Sequence, residues 1–147
     1  MTDTDRTRAT VRAFVDALFT DGDLTAVDRY LAEDYVDHDP PMGGAADREG
    51  MRATARMIRA GCPDWRSDLH RHVAEGDLVV EHFTAHGTHL GELLGVPATG
   101  RTVTMRGINI WRVRDGVITE RWGRVDDLGV LTDLGVLAAP RGSAVPA

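Results

Sequence analysis

The chain has 147 residues, 42% of them hydrophobic and 27% charged, with a formal net charge of −6. That composition suits one soluble domain with a real core and argues against a general grip on DNA or RNA, which needs a basic face. No apolar run approaches the ~20 residues of a membrane span, the opening MTDTDRTRAT lacks the apolar stretch of a signal peptide, and the one cysteine, Cys62, excludes an internal disulfide and a multi-cysteine metal site; a cytoplasmic protein is expected.

The first third reads as helical. Val11, Phe14, Val15 and Leu18 follow the i, i+3, i+4, i+7 spacing of one apolar stripe. Asp21-Gly22-Asp23 breaks that helix, and Leu24, Val27 and Leu31 make a second, shorter stripe. DYVDHDPPMGG is extended and turns at Pro40-Pro41 and Gly43-Gly44. A third helix begins near Asp47, faces Met51, Ala55 and Ile58 inward, and ends at Gly61-Cys62-Pro63.

After Pro63 the period becomes two. SDLHRHVAEGDLVVEHFTAHGTH reads as two strands joined around Glu75-Gly76-Asp77, and GELLGVPATGR as a loop. TVTMRGINIWRVRDGVITERWGRVD reads as a long hairpin turning at Asp115-Gly116, and DLGVLTDLGVL as a short helix or turn. Three helices followed by antiparallel strands mean α+β. One domain over residues 1–137 is expected, with a mobile tail over 138–147.

A two-residue turn at Asp115-Gly116 sets a register in which Asn109 faces Trp122 and Trp111 faces Glu120. One face then carries Met105, Asn109, Trp111, Glu120, Trp122, Arg124 and Asp126. Indoles and a methionine with an amide and a carboxylate make the mixture of a ligand pocket. The other face carries Ile108, Ile110 and Val125, which suit a second subunit. On this register Asp126 points to the pocket and Asp127 away from it, free to cap the next turn. An ordinary core with Asp126 as a plain cap fits the same pattern.

Taken together, DGDLTAVDRYLAEDYVDHDP, GCPDW, EGDLVVEHFTAHGTHLGELLGVPATGR and GINIWRVRDGVITERWGRVDDLGVLTDLG resemble the SnoaL-like polyketide cyclases and ester cyclase-like proteins of the nuclear transport factor 2-like superfamily, from about Arg8 to Leu137. The resemblance implies a cone-shaped α+β barrel, three N-terminal helices on a strongly curved, mostly antiparallel sheet, a deep hydrophobic pocket for a polyketide-like ligand, and a homodimer. It implies an aspartate acid/base near the end of the last long strand; Asp126, four residues after Trp122, occupies that place. The chain departs from the family at Val117, where lysine is usual, at Arg121, where histidine is common, at Ala98, where proline is common, and at Asp133, where glutamine is frequent.

The implied reaction is an intramolecular aldol-type ring closure of a polyketide methyl ester, with Asp126 moving the proton and neither metal nor cofactor needed. Met105, Asn109, Trp111, Glu120 and Trp122 would bind the substrate. His38, in the family's DHD-like segment, would assist Asp126 or simply tie down a turn. His82 and His86 share one strand face, opposite to Phe83; they serve the pocket only if that face lines it. His70-x-His72 has a metal-binding spacing but no full ligand set, so no metal is expected. Water addition of the epoxide hydrolase type, using Asp126, Glu120 and Arg124, and a non-catalytic dimer that binds a small apolar ligand are the alternatives.

Overall fold

The computed structural model describes residues 1–138. Of the tail expected from Ala138 onward, residues 139–147 lie outside the described residues. Helix α1 (Asp3–Val15) begins with a capping box, the Thr2 hydroxyl accepting from the Asp5 amide and the Asp5 carboxylate accepting from the Thr2 amide. The expected stripe of Val11, Phe14 and Val15 is buried, and it continues to Leu18 through a wider π-type turn, Asp16–Thr20. Helix α2 (Ala26–Tyr30) is only five residues long, because the chain goes straight into strand β1 (Leu31–Asp37). Leu31 is therefore buried as a strand residue, not as the end of a helical stripe. Helix α3 (Arg48–Gly61) starts where expected, with the Asp47 carboxylate accepting from the Gly50 amide at 3.0 Å, and it buries Met51, Ala55 and Ile58.

Strands β2 (Arg66–Glu75), β3 (Leu78–Thr88), β4 (Thr102–Arg114) and β5 (Val117–Val125) follow, and then a short helix α4 (Asp127–Asp133). The sheet order is β1-β5-β4-β3-β2, antiparallel except where β1 runs parallel to β5. The sheet is not closed. Its inner face meets the helices: Val79, Trp111, Val113 and Ile118 pack with α1 and α2, and Phe83, Ala85 and Val103 pack with Ile58 of α3 and Val130 of α4. This is the α+β architecture expected from the pattern.

Two β-bulges decide which side chains reach that inner face. The β4–β5 hairpin turns at Asp115 and Gly116, at φ 51° and 78°, the geometry that Asp-Gly favours. Val113 then pairs with Ile118 as a two-residue turn requires, but Arg112 pairs with Glu120. Thr119 is the extra residue, and one inserted residue reverses the face of every β5 side chain beyond it. Trp111 thus faces Arg121 rather than Glu120, and Asn109 faces Gly123 rather than Trp122. A second bulge separates Leu69, paired with Phe83, from Arg71, paired with His82. It sends His70 outward to the Thr84 hydroxyl and His72 inward opposite Glu81, so the two histidines of the HxH sequence do not share a face.

The core is anchored by Phe14, fully buried and edge-on to Trp111 at 5.7 Å, with Tyr30 at 6.1 Å on another side. Phe14→Ala is expected to cost about 3–5 kcal/mol of unfolding free energy, the range for emptying a buried aromatic site. Urea denaturation of the two proteins measures it, and a loss under about 1 kcal/mol would show that this site collapses around the deletion.

Candidate active site

Between the helices and the inner sheet face lies a cavity of about 1000 Å³, counting the open space at its mouth. Its wall is overwhelmingly apolar, with Phe19, Met51, Ile58, Trp65, Phe83 and Val103 among the contributors. Glu81, Asn109 and Arg121 interrupt that wall, and Asp127 stands where α4 begins. An apolar cavity with a few converging polar groups is the usual form of a small-molecule site.

The polar groups come from three neighbouring strands. Glu81 on β3 pairs with Asn109 on β4, and Asn109 pairs with Gly123 on β5. The Glu81 carboxylate accepts from the Trp111 indole N–H at 2.7 Å. Arg121 Nε and Nη2 donate to Asn109 Oδ1 at 3.2 and 2.9 Å, which leaves the Asn109 amide N–H groups as donors toward Glu81. Arg121 Nη1 donates to both Asp37 carboxylate oxygens at 2.9 Å and to the Asp39 carbonyl at 3.1 Å. The result is a buried row of Asp37, Arg121, Asn109, Glu81 and Trp111.

Gly123 makes room for this row. A Cβ at that position would stand 2.6 Å from Arg121 Cζ and from Asn109 Oδ1, where nothing fits. The Arg121 guanidinium lies across the space a side chain would fill. Glu81 is 2% exposed. Burial pushes its carboxyl group above the ordinary carboxylate range, opposed in part by the Trp111 and Asn109 donors and by the Arg12 cation.

The residues proposed from sequence divide sharply. Met105, Asn109 and Trp111 line the cavity. Glu120 and Trp122 do not, because the Thr119 bulge turns them to the outer face. There the His38 ring stacks on Trp122 at 4.7 Å, and its Nε2 lies 3.1 Å from a Glu120 oxygen. His38 is therefore a brace between β1 and β5 on the outer side. His82 and His86 also point outward, since Glu81, Phe83 and Ala85 hold the inner positions of β3. His82 meets Arg71 at 2.9 Å, and His86 stands 3.8 Å from Asp68.

Asp126 and Asp127 exchange the places expected for them. Both are exposed: Asp126 accepts from the Gly129 amide at 2.9 Å as the N-cap of α4, and Asp127 lines the cavity. Val125, expected on the back face with Ile108, lines the cavity as well. Asp126, Glu120 and Arg124, grouped for water addition, therefore do not meet in the cavity. Glu81 and Asp37 are not among the site candidates the sequence offers, and Arg121 enters there only as a departure from the family pattern. A signal for Glu81 exists: it is the carboxylate among Val79, Phe83 and Ala85 on the apolar face of one strand.

Asp37→Ala would leave the Arg121 guanidinium buried without its anion, and a loss of roughly 3–5 kcal/mol is expected. Glu81 gives a pH test of opposite sign. Its folded-state carboxyl holds a proton more tightly than the ordinary value of 4.5. Wild-type stability therefore falls as pH rises from that value until Glu81 ionises in the folded protein, by at most about 1.4 kcal/mol per pH unit. Glu81→Gln keeps an acceptor for Trp111 and is free of that loss. Urea melts should show the variant more stable than wild type at neutral pH, with the gap closing at pH about 4; a gap independent of pH would contradict the assignment.

Comparison with known proteins finds relatives along most of the chain. A family model described as SnoaL-like polyketide cyclase matches residues 9–134. The nogalonic acid methyl ester cyclase of Streptomyces nogalater is 28% identical over 121 residues, covering 80% of this chain and 89% of that one. Among solved structures, TsrD from Streptomyces laurentii superposes with a TM-score of 0.80 at 31% identity, covering 93% of this chain and 100% of that chain. IdmH from Streptomyces antibioticus superposes with a TM-score of 0.75 at 36% identity, covering 88% and 98%.

Proposed function

The chain belongs to the SnoaL-like polyketide cyclase family, and from that premise we propose that it closes a ring within one polyketide ester molecule by an aldol-type step, with Glu81 moving the proton. The observation that carries this reading is a carboxyl group 2% exposed in an apolar cavity, held by an indole N–H and set beside an amide and a guanidinium. The ester comes from the relative that acts on nogalonic acid methyl ester.

The chemistry follows from the groups present. A carbon flanked by two carbonyls loses a proton to the Glu81 carboxylate, and its electrons pass into an enolate. Burial makes Glu81 a stronger base than a wet carboxylate. The enolate carbon attacks a second carbonyl of the same molecule, forming the carbon–carbon bond, and the new alkoxide takes the proton back from Glu81. No atom is gained or lost. Arg121 and Asn109 supply positive charge and N–H dipoles beside the reacting oxygens, in a site too dry to screen them. The wall of Trp111, Phe83 and Met105 holds the flat rings in a folded pose, and orientation is most of what an intramolecular closure needs. The acid/base role that family spacing offers to Asp126 falls in this reading to Glu81, since Asp126 is a cap outside the cavity.

A panel of tricyclic polyketide methyl esters, followed by mass-resolved chromatography, tests the proposal. The expected product is an isomer of unchanged mass. Glu81→Gln should lower its rate by about 10²–10⁴-fold, the usual worth of a positioned proton carrier. Asp126→Asn should leave the rate within a few-fold of wild type, because asparagine caps a helix as well as aspartate does. Loss in Asp127→Asn but not in Glu81→Gln would move the proton chemistry to the cavity mouth. A product heavier by one water would replace ring closure with hydrolysis or hydration.

A further inference from the structure

Glu81 has a second polar neighbourhood on the side away from Arg121. His72 on β2 is its direct cross-strand partner and, past the bulge at His70, points to the same inner face. Directly opposed residues on one face bring their Cβ atoms to roughly 4.5–5.5 Å. β2 is the edge strand of the sheet, and α1 packs over it. Arg8, Arg12 and Asp16 recur at four-residue intervals along α1 and the turn that extends it, and so form one row. Arg12 donates from Nε to Asp16 at 3.0 Å and pairs through Nη2 with the other Asp16 oxygen at 2.6 Å.

That leaves two buried polar atoms with no protein partner here, Arg12 Nη1 and His72 Nε2. Such atoms are rare in native folds, and a bound water is the ordinary way to satisfy a close group of them. The charges felt at the two titrating groups agree with the placement. Burial, with Arg8 and Arg12 behind it, holds the His72 ring below its ordinary range; burial raises the Glu81 carboxyl, with smaller effects of Arg12 downward and Asp16 upward.

We propose that Arg12, Asp16 and His72 form a proton-sharing station behind Glu81, in which one bound water links Arg12 Nη1 and His72 Nε2 to the Glu81 carboxyl group. Arg12 and His72 are positioning residues in this arrangement. They act on Glu81 through that water from the helix side and do not line the cavity. Arg12 and Asp16 are partly exposed, so the station reaches solvent along the edge strand. Glu81 then trades protons with bulk water even while an apolar molecule fills the cavity. This deepens the ring-closure reading, which supplies Glu81 with its task, but the station can be measured without any substrate.

The measurement is an NMR pH titration of the His72 ring and the Glu81 side-chain carbon in the free protein. In wild type the His72 signals should show two inflections, one from the ring and one from Glu81. Glu81→Gln should leave one. Arg12→Gln should move both inflections to higher pH by roughly half a unit, about threefold in proton affinity, because a cation that opposes protonation is gone. Asp16→Asn should move them the other way, and it serves if Arg12→Gln does not fold. A His72 curve with a single inflection unchanged by Glu81→Gln, or inflections that stay put when the Arg12–Asp16 pair is altered, overturns the station. Since no turnover is involved, that failure is distinct from the failure of ring closure, which appears as equal rates in wild type and Glu81→Gln.

Discussion

A guanidinium keeps its charge in any environment a protein can make, so burying one commits the surroundings. Arg121 is 5% exposed, and every group around it answers that commitment. Asp37 supplies the counter-charge, Asn109 and the Asp39 carbonyl take further N–H groups, and Gly123 leaves the space. Strand β1 lies beside β5 at the place that brings Asp37 to it, and the His38 amide donates to the Arg121 carbonyl at 2.9 Å to hold the crossing. A buried pair of this kind gains little over an apolar replacement, but losing one partner is costly. It therefore fixes an arrangement more than it adds stability. Here it fixes how β1, β4 and β5 meet at one end of the cavity.

The consequence for chemistry is a gradient along that wall. At the Asp37 end the charges cancel against each other. At the Glu81 end a carboxyl group has an indole, an amide and only a more distant cation, so burial favours its protonated form. Between them Asn109 presents oxygen to the arginine and nitrogen toward the carboxyl group. An apolar cavity wall then does what water would not allow: it keeps these unequal sites from being levelled by solvent.

Much of the architecture was legible in the sequence, for identifiable reasons. The i, i+3, i+4 stripe of α1, the Asp47 cap of α3 and the Asp-Gly turn are local signals, and each acts where it stands. Met105, Asn109 and Trp111 were placed in the cavity because β4 alternates without interruption. Glu120, Trp122 and Asp126 were placed with them by counting outward from the turn, and the count fails at Thr119. Nothing in the residues VITERW marks an extra residue, because a bulge is set by what the two faces must bury rather than by local preference. The same is true of His70 and His72. Glu81 differs: alternation puts it on the face of Val79, Phe83 and Ala85, but only the partners that hold it there, Trp111 and Asn109 on the next strand, give a carboxylate in that row a role.

The Thr119 bulge also bears on how this site could change over time. A strand with alternating faces stores two surfaces in one sequence. The one turned inward here is Arg121, Gly123 and Val125; the one turned outward is Glu120, Trp122 and Arg124. Loss of the Thr119 codon would exchange them without altering any other residue, trading a guanidinium and a gap for a carboxylate and an indole. Within such a hairpin, length variation is as direct a source of new pocket chemistry as substitution, and two chains aligned residue for residue across this strand can differ on every inward position.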